Sequence, residues 1–170
     1  MSVNNQSIFW IMEKNGKKLA TLNNSKKNEY RIWKPYRSKL AAAIINGIEI
    51  FPILEKSKII YFDTLENTIN HVSDIVGVDG EIFIAKNNES IDFLKKTNVG
   101  ITNISFIDAI EKSTVDYVDT LYVDVLDQSY LDTVINSKAY LKDGGYIMLV
   151  IKTEDMLENN DSNKLQNNVY

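Results

Sequence analysis

From Ile59 to Ile151 the chain alternates short apolar runs with amphipathic stretches, and this alternation limits the possible folds more than any other feature. The runs Ile59–Phe62, Glu81–Ala85, Ile104–Ile107, Thr120–Val125 and Tyr146–Ile151 are short and rich in Ile and Val. Such runs suit strands whose two faces are both covered by helices. Helical spacing falls between them, at about 68–76, 89–96, 128–141 and a short stretch at 109–113; in the first, Ile69, Val72, Ile75 and Val76 recur on one face. The order strand, helix, strand predicts an α/β fold with a mainly parallel, doubly wound sheet. Ligands of such sheets bind beyond the carboxyl ends of the strands, where the strand order reverses. Asp63, Lys86, Asp108, Asp124 and Lys152 fall on that rim.

Upstream lies a different pattern. "IFWIMEKNGKKLATL", residues 8–22, reads as a β-hairpin, with Asn15-Gly16 as a type I′ turn pair because both residues accept φ > 0. Ser38 to Gly47 reads as a helix that Ser38 caps and Gly47 ends. The segment after Thr153 is acidic, rich in asparagine and poor in residues to bury. Three segments are therefore expected: a small β-hairpin element at 1–28, an α/β domain at 29–152, and an acidic, flexible tail at 153–170.

The 170 residues suffice for one well-buried domain. The absence of cysteine excludes disulfides and thiolate metal sites, and the single His71 cannot build a zinc site alone. No apolar run approaches the ~20 residues of a membrane span, and a signal-peptide pattern is lacking, so a cytoplasmic location is the default. Charge is uneven. Residues 1–58 carry 11 Lys/Arg against 4 Asp/Glu, a balance of +7; residues 59–170 carry 8 against 19, a balance of −11. The basic third can approach phosphates or be a solvated face. The acidic remainder argues against strong autonomous nucleic-acid binding.

One stretch is more specific. "EYRIWKPYRSKLAAAI" (Glu29 to Ile44) resembles the fibrillarin hallmark E-Y-R-x-W-N-P-F-R-S-K-L-A-A-A-I. The resemblance continues through "HVSDIVGVDGEIF" (His71 to Phe83), "DVLDQ" (Asp124 to Gln128) and "YLKDGGYIMLVIK" (Tyr140 to Lys152), covering roughly Ile8 to Lys152. It implies a Rossmann-like methyltransferase fold that uses S-adenosylmethionine (SAM). It also implies membership of box C/D-type ribonucleoproteins, in which a guide RNA selects the nucleotide and a Nop-domain scaffold protein holds the enzyme. The family's Lys-Asp-Lys-His catalytic set maps onto Lys39, Asp124 and Lys152. A carboxylate beside a lysine suits the activation of a ribose hydroxyl; the plainer reading of the three is strand capping and surface ion pairing. The histidine has no counterpart, since His71 matches a helix histidine of the family that is expected to be packed. The family's two closing strands also have no counterpart in the pattern, so the fifth strand is expected to be an exposed edge. That edge and the N-terminal hairpin are the places for a homo- or hetero-oligomer contact.

The cofactor loop departs most. The family's "GAASGTT" is Asp63-Thr64-Leu65-Glu66-Asn67-Thr68-Ile69 here, and only Asn67 among the replacements tolerates a left-handed backbone readily. The acidic ribose contact is replaced by Lys86, which offers donors only. Asp108-Ala109 retains the adenine-side pair, and "DVLDQ" is two residues shorter than the family's "DVAQPDQ". Thr68, Lys86, Asp108 and Ala109, with Asp63, Glu66 and Asn67, are thus read as a vestigial SAM pocket. Lys86 is expected either to pair with Asp63 and Glu66 or to have drifted independently onto solvent. The function implied is that of a non-catalytic, structural or regulatory member of the RNA 2′-O-ribose methylation machinery. The alternatives are an active guide-directed rRNA/tRNA 2′-O-methyltransferase and a stand-alone RNA-binding module.

Overall fold

The computed structural model describes residues 7–26, 28–63, 66–85, 101–107, 110, 115–124 and 130–151. Its centre is a five-stranded, all-parallel sheet of β4 (Lys58–Asp63), β5 (Glu81–Ala85), β6 (Ile104–Ile107), β7 (Val118–Asp124) and β8 (Leu141–Leu149), in the order β6-β5-β4-β7-β8. Side chains alternate across it as the pleat requires. Ile59, Tyr61, Ile82, Ile84 and Tyr122 enter one core with α1 (Lys39–Ile45) and α2 (Glu66–Val76). Ile60, Phe83, Ile107 and Leu121 form a second core on the opposite side. The four apolar positions expected on α2 are all fully buried.

A smaller antiparallel sheet precedes this one, made of β1 (Ile8–Glu13), β2 (Gly16–Leu22) and β3 (Tyr30–Ile32). It joins the first core through Leu19 and Trp33. Two features differ from the sequence reading. Glu13 pairs with Gly16, so Lys14 and Asn15 form the turn, both with negative φ, and Gly16 follows at φ +111°. That is not the type I′ form, which needs φ > 0 at both turn residues; the glycine serves one position later than Asn-Gly pairing supposes. β3 was not expected at all, because three residues are too few to show a period.

Strand β8 begins at Leu141, five residues before the expected Tyr146. Val118 faces Leu141, yet Thr120 faces Tyr146, so the intervening "KDGG" bulges out of register with Gly144 at φ +76°. Among the described residues β8 is an edge strand, with Tyr146 and Ile147 exposed. The helix expected over 128–141 is α3 (Tyr130–Ser137), tightened into a 3-10 turn at Lys138–Tyr140. The helices expected at 89–96 and 109–113 and the acidic tail lie outside the described residues, apart from Ile110.

Candidate functional site

The chain leaves β4 toward β5 and β6 on one side, whereas β7 and β8 lie on the other, so the strand order reverses between β4 and β7. Asp63 ends β4 and Asp124 ends β7, and the two are direct Cα partners across that seam. Parallel strands lie about 4.8 Å apart, which sets two acidic residues side by side at the mouth where such folds bind ligands.

The Asp124 side chain is 1% exposed. Its Oδ1 is ion-paired with Lys39 Nζ, and its Oδ2 accepts from the Tyr122 hydroxyl at 3.4 Å. A carboxylate this deep needs such partners, because an unpaired buried charge is strongly destabilising. Tyr122 is itself fixed by stacking on Tyr61, with ring centroids 4.9 Å apart.

Lys39 is placed by the start of α1. Ser38 caps that helix, its Oγ accepting from Ala41 N at 3.3 Å. The same Oγ accepts from the Thr68 hydroxyl at 2.9 Å, which ties the start of α1 to the first turns of α2. Thr68 therefore holds the Lys39 helix in place. Helix α2 starts at Glu66, two residues earlier than expected, so Glu66 and Asn67 are helical and Asn67 has no left-handed backbone.

Of the residues singled out in the sequence, Lys39 and Asp124 thus meet, Thr68 stands behind Lys39, and Asp63 borders Asp124 through the backbone. Lys152, Lys86, Asp108 and Ala109 lie outside the described residues, as does the expected pairing of Lys86 with Asp63 and Glu66. Among the described residues no group of three His, Cys, Asp or Glu side chains could hold a metal ion.

His71 has a structural place. Its ring stacks on Trp33, centroids 4.6 Å apart and planes 12° from parallel. Its Nδ1 lies 2.8 Å from Thr21 Oγ1, and that hydroxyl donates to Asp74 Oδ2, also at 2.8 Å. The hydroxyl has one proton and Asp74 takes it, so His71 Nδ1 must donate, which fixes the neutral Nδ1–H tautomer. Burial first, and the nearby Arg31 charge second, lower the imidazole pKa to about 3. Asp74 is further held by Arg31 Nε at 2.8 Å and by Asn24 N at 3.1 Å. No linear signal marks this network, because its members come from positions 21, 24, 31, 71 and 74 and only the fold brings them together.

The family model of fibrillarin matches residues 6–169. The fibrillarin-like rRNA/tRNA 2′-O-methyltransferase of Thermococcus gammatolerans is 55% identical over 56 residues, 32% of this chain and 25% of that protein. The matched stretches span only about a quarter of the length of the curated relatives. Among solved structures, the Methanococcus jannaschii fibrillarin pre-rRNA processing protein superposes with a TM-score of 0.82 at 29% identity, over 95% of this chain and 79% of that one. Aeropyrum pernix fibrillarin, crystallised with natively bound SAM, gives 0.80 at 27% identity, over 89% and 76%.

Proposed function

The chain belongs to the fibrillarin family and has its Rossmann-like SAM-methyltransferase fold, and from that membership we propose that it serves box C/D-type RNA 2′-O-methylation as a structural or regulatory subunit that does not bind SAM. The observation that carries this reading is the register of Asp63 with Asp124 at the switch point. The residue that ends β4 stands where the family motif has its first glycine, and glycine there lets the backbone approach the ligand closely. Asp63 adds a side chain and a charge beside an acidic residue that is already buried. Helix α2 begins three residues later, so Asn67 offers no replacement for the second glycine's freedom. Thr68, the surviving hydroxyl of that loop, is bonded to Ser38. Lys86, in place of the acidic ribose contact, leaves the sugar hydroxyls without their acceptor. These residues do not fit SAM.

A Nop-domain scaffold protein and a box C/D guide RNA are the partners this reading assigns. Such an assembly suits a chain of net charge −4, because the RNA affinity then resides mainly in the partners.

A second reading, an active guide-directed 2′-O-methyltransferase, is favoured by the Lys39–Asp124 pair, since a carboxylate held by a lysine can orient a ribose hydroxyl. Against it, both Asp124 oxygens are engaged and the side chain is almost wholly enclosed. Calorimetric titration with SAM and with S-adenosylhomocysteine, up to millimolar ligand, decides between them. No binding is expected. Micromolar binding by the unaltered chain overturns the non-catalytic reading and makes the enzyme reading the leading one.

A further inference from the structure

A separate cleft of about 240 Å³ opens between the segment Arg31 to Arg37 and helix α2. Arg31, Trp33, Lys34, Arg37, Asn70 and His71 line it, and no described Asp or Glu does. The cations differ in what they already hold. Arg31 is bonded to Asp74 through Nε and to Asn23 through Nη2 at 3.1 Å. Lys34 and Arg37 are exposed, and neither has an ion-pair partner among the described residues.

Two buried polar atoms of the lining also have no partner among the described residues: the indole N–H of Trp33 and the amide oxygen of Asn70. Trp33 is 1% exposed, so its unmet donor is a real deficit; leaving a buried donor or acceptor unpaired costs about 1–3 kcal/mol. The cleft thus has two available cations, one orphan donor and one orphan acceptor. His71 adds no charge, because its ring is neutral and bonded to Thr21.

A phosphodiester satisfies the cations and the indole N–H, as it carries acceptors only. It cannot satisfy Asn70 Oδ1, which needs a donor. A ribose hydroxyl next to the phosphate supplies one, and deoxyribose lacks it at the 2′ position. The cleft volume leaves room for a phosphate together with its sugar.

We propose that this cleft is a subsite for one ribonucleotide of a single-stranded RNA, its phosphate held by Lys34, Arg37 and Trp33 Nε1–H and its ribose hydroxyl donating to Asn70 Oδ1. The RNA identity of the ligand rests on the family reading above, whereas the anion chemistry rests on the cleft alone. The cleft gives the basic N-terminal third a local RNA contact on a protein that is acidic as a whole.

The test is fluorescence anisotropy of a short labelled single-stranded RNA, and of the DNA of the same sequence, with the purified full chain from about 50 to 200 mM salt. The double variant Lys34→Gln/Arg37→Gln is expected to bind RNA about tenfold more weakly and to lower the salt slope by about 1.4. Both residues are exposed, so the variant should melt at the parental temperature. Asn70→Leu is expected to bring RNA affinity down to that of DNA while leaving DNA binding unchanged. RNA affinity and slope unaltered in the double variant would overturn the proposal. So would the absence of RNA binding by the parent at low salt, or a change in Trp33 emission produced by inorganic phosphate and not by RNA, which would mark a free-anion site. No SAM enters this assay. A failed cleft therefore leaves the calorimetric question open, and micromolar SAM binding leaves the cleft intact.

Discussion

Lys39, the first residue of α1, and Asp124, the last residue of β7, form an ion pair across 85 positions of the chain. The pair joins the helix of the hallmark segment to the seam of the parallel sheet. Lys39 keeps about a third of its side chain in solvent, while Asp124 keeps 1%. The two partners therefore have unequal stakes. Loss of the lysine strands a buried carboxylate, but loss of the carboxylate frees a lysine that can turn to water.

The expected outcome is asymmetric destabilisation. Lys39→Ala should cost ~2 kcal/mol in urea unfolding, less than a fully enclosed pair because the ammonium is part-solvated. Adding Asp124→Asn should recover most of that loss. Simple additivity of the two single variants would contradict the pairing.

The His71 pKa near 3 makes a pH prediction. An unfolded histidine gains a proton below about 6.5, whereas the folded ring stays neutral down to about 3. The unfolded state then binds more protons, so stability falls as pH drops through that window, by up to about 1.4 kcal/mol per unit. Comparing the parent with His71→Gln between pH 7 and 5 isolates this slope from the carboxylates. The imidazole proton shift should also stay flat in that range; titration near 6.5 would contradict the burial.

Gly80 should not tolerate alanine. A Cβ there would lie 2.2 Å from Val76 Cγ1 and 2.8 Å from the Ser57 carbonyl oxygen. That backbone is fixed, because Ser57 O also accepts from Glu81 N at 3.1 Å. Gly80→Ala is expected to cost about 1–3 kcal/mol, measured by thermal melting. An unchanged melting temperature would mean the β5 entry is looser than its contacts indicate.

On the proposed reading, SAM binding takes more than glycine to restore. Asp63→Gly with Asn67→Gly is expected to leave SAM undetected by calorimetry, because Lys86 still offers no acceptor. Asn67→Gly should also cost about 0.3 kcal/mol, since that residue is helical and asparagine is already a weak helix former. Adding Lys86→Glu should bring measurable binding. If the two glycines alone suffice, the proposed role of Lys86 in excluding SAM is wrong.

The central sheet was legible because Ile/Val runs of strand length stand between helical periods, and β5 and β6 fall on their expected residues. Registers were less so. The "KDGG" bulge moves β8 relative to β7 without altering the apolar pattern that marks the strand. Lys39 and Asp124 could be singled out only through a motif, since nothing in the periodicity connects position 39 to position 124. The Thr21–His71–Asp74 network and the Lys34–Arg37 cleft had no linear signal, as each combines the small sheet or its exit with α2.

The central place of β4 also sets an order of events in time. Ile59 faces Ile82, 23 positions later, but its other neighbour, Thr120, is 61 positions later. At 5–20 residues per second, synthesis separates the two pairings by roughly 2–8 seconds. For that interval the nascent chain presents one edge of its innermost strand to the cell, and the seam bearing Asp63 and Asp124 is the last part of that strand's pairing to close.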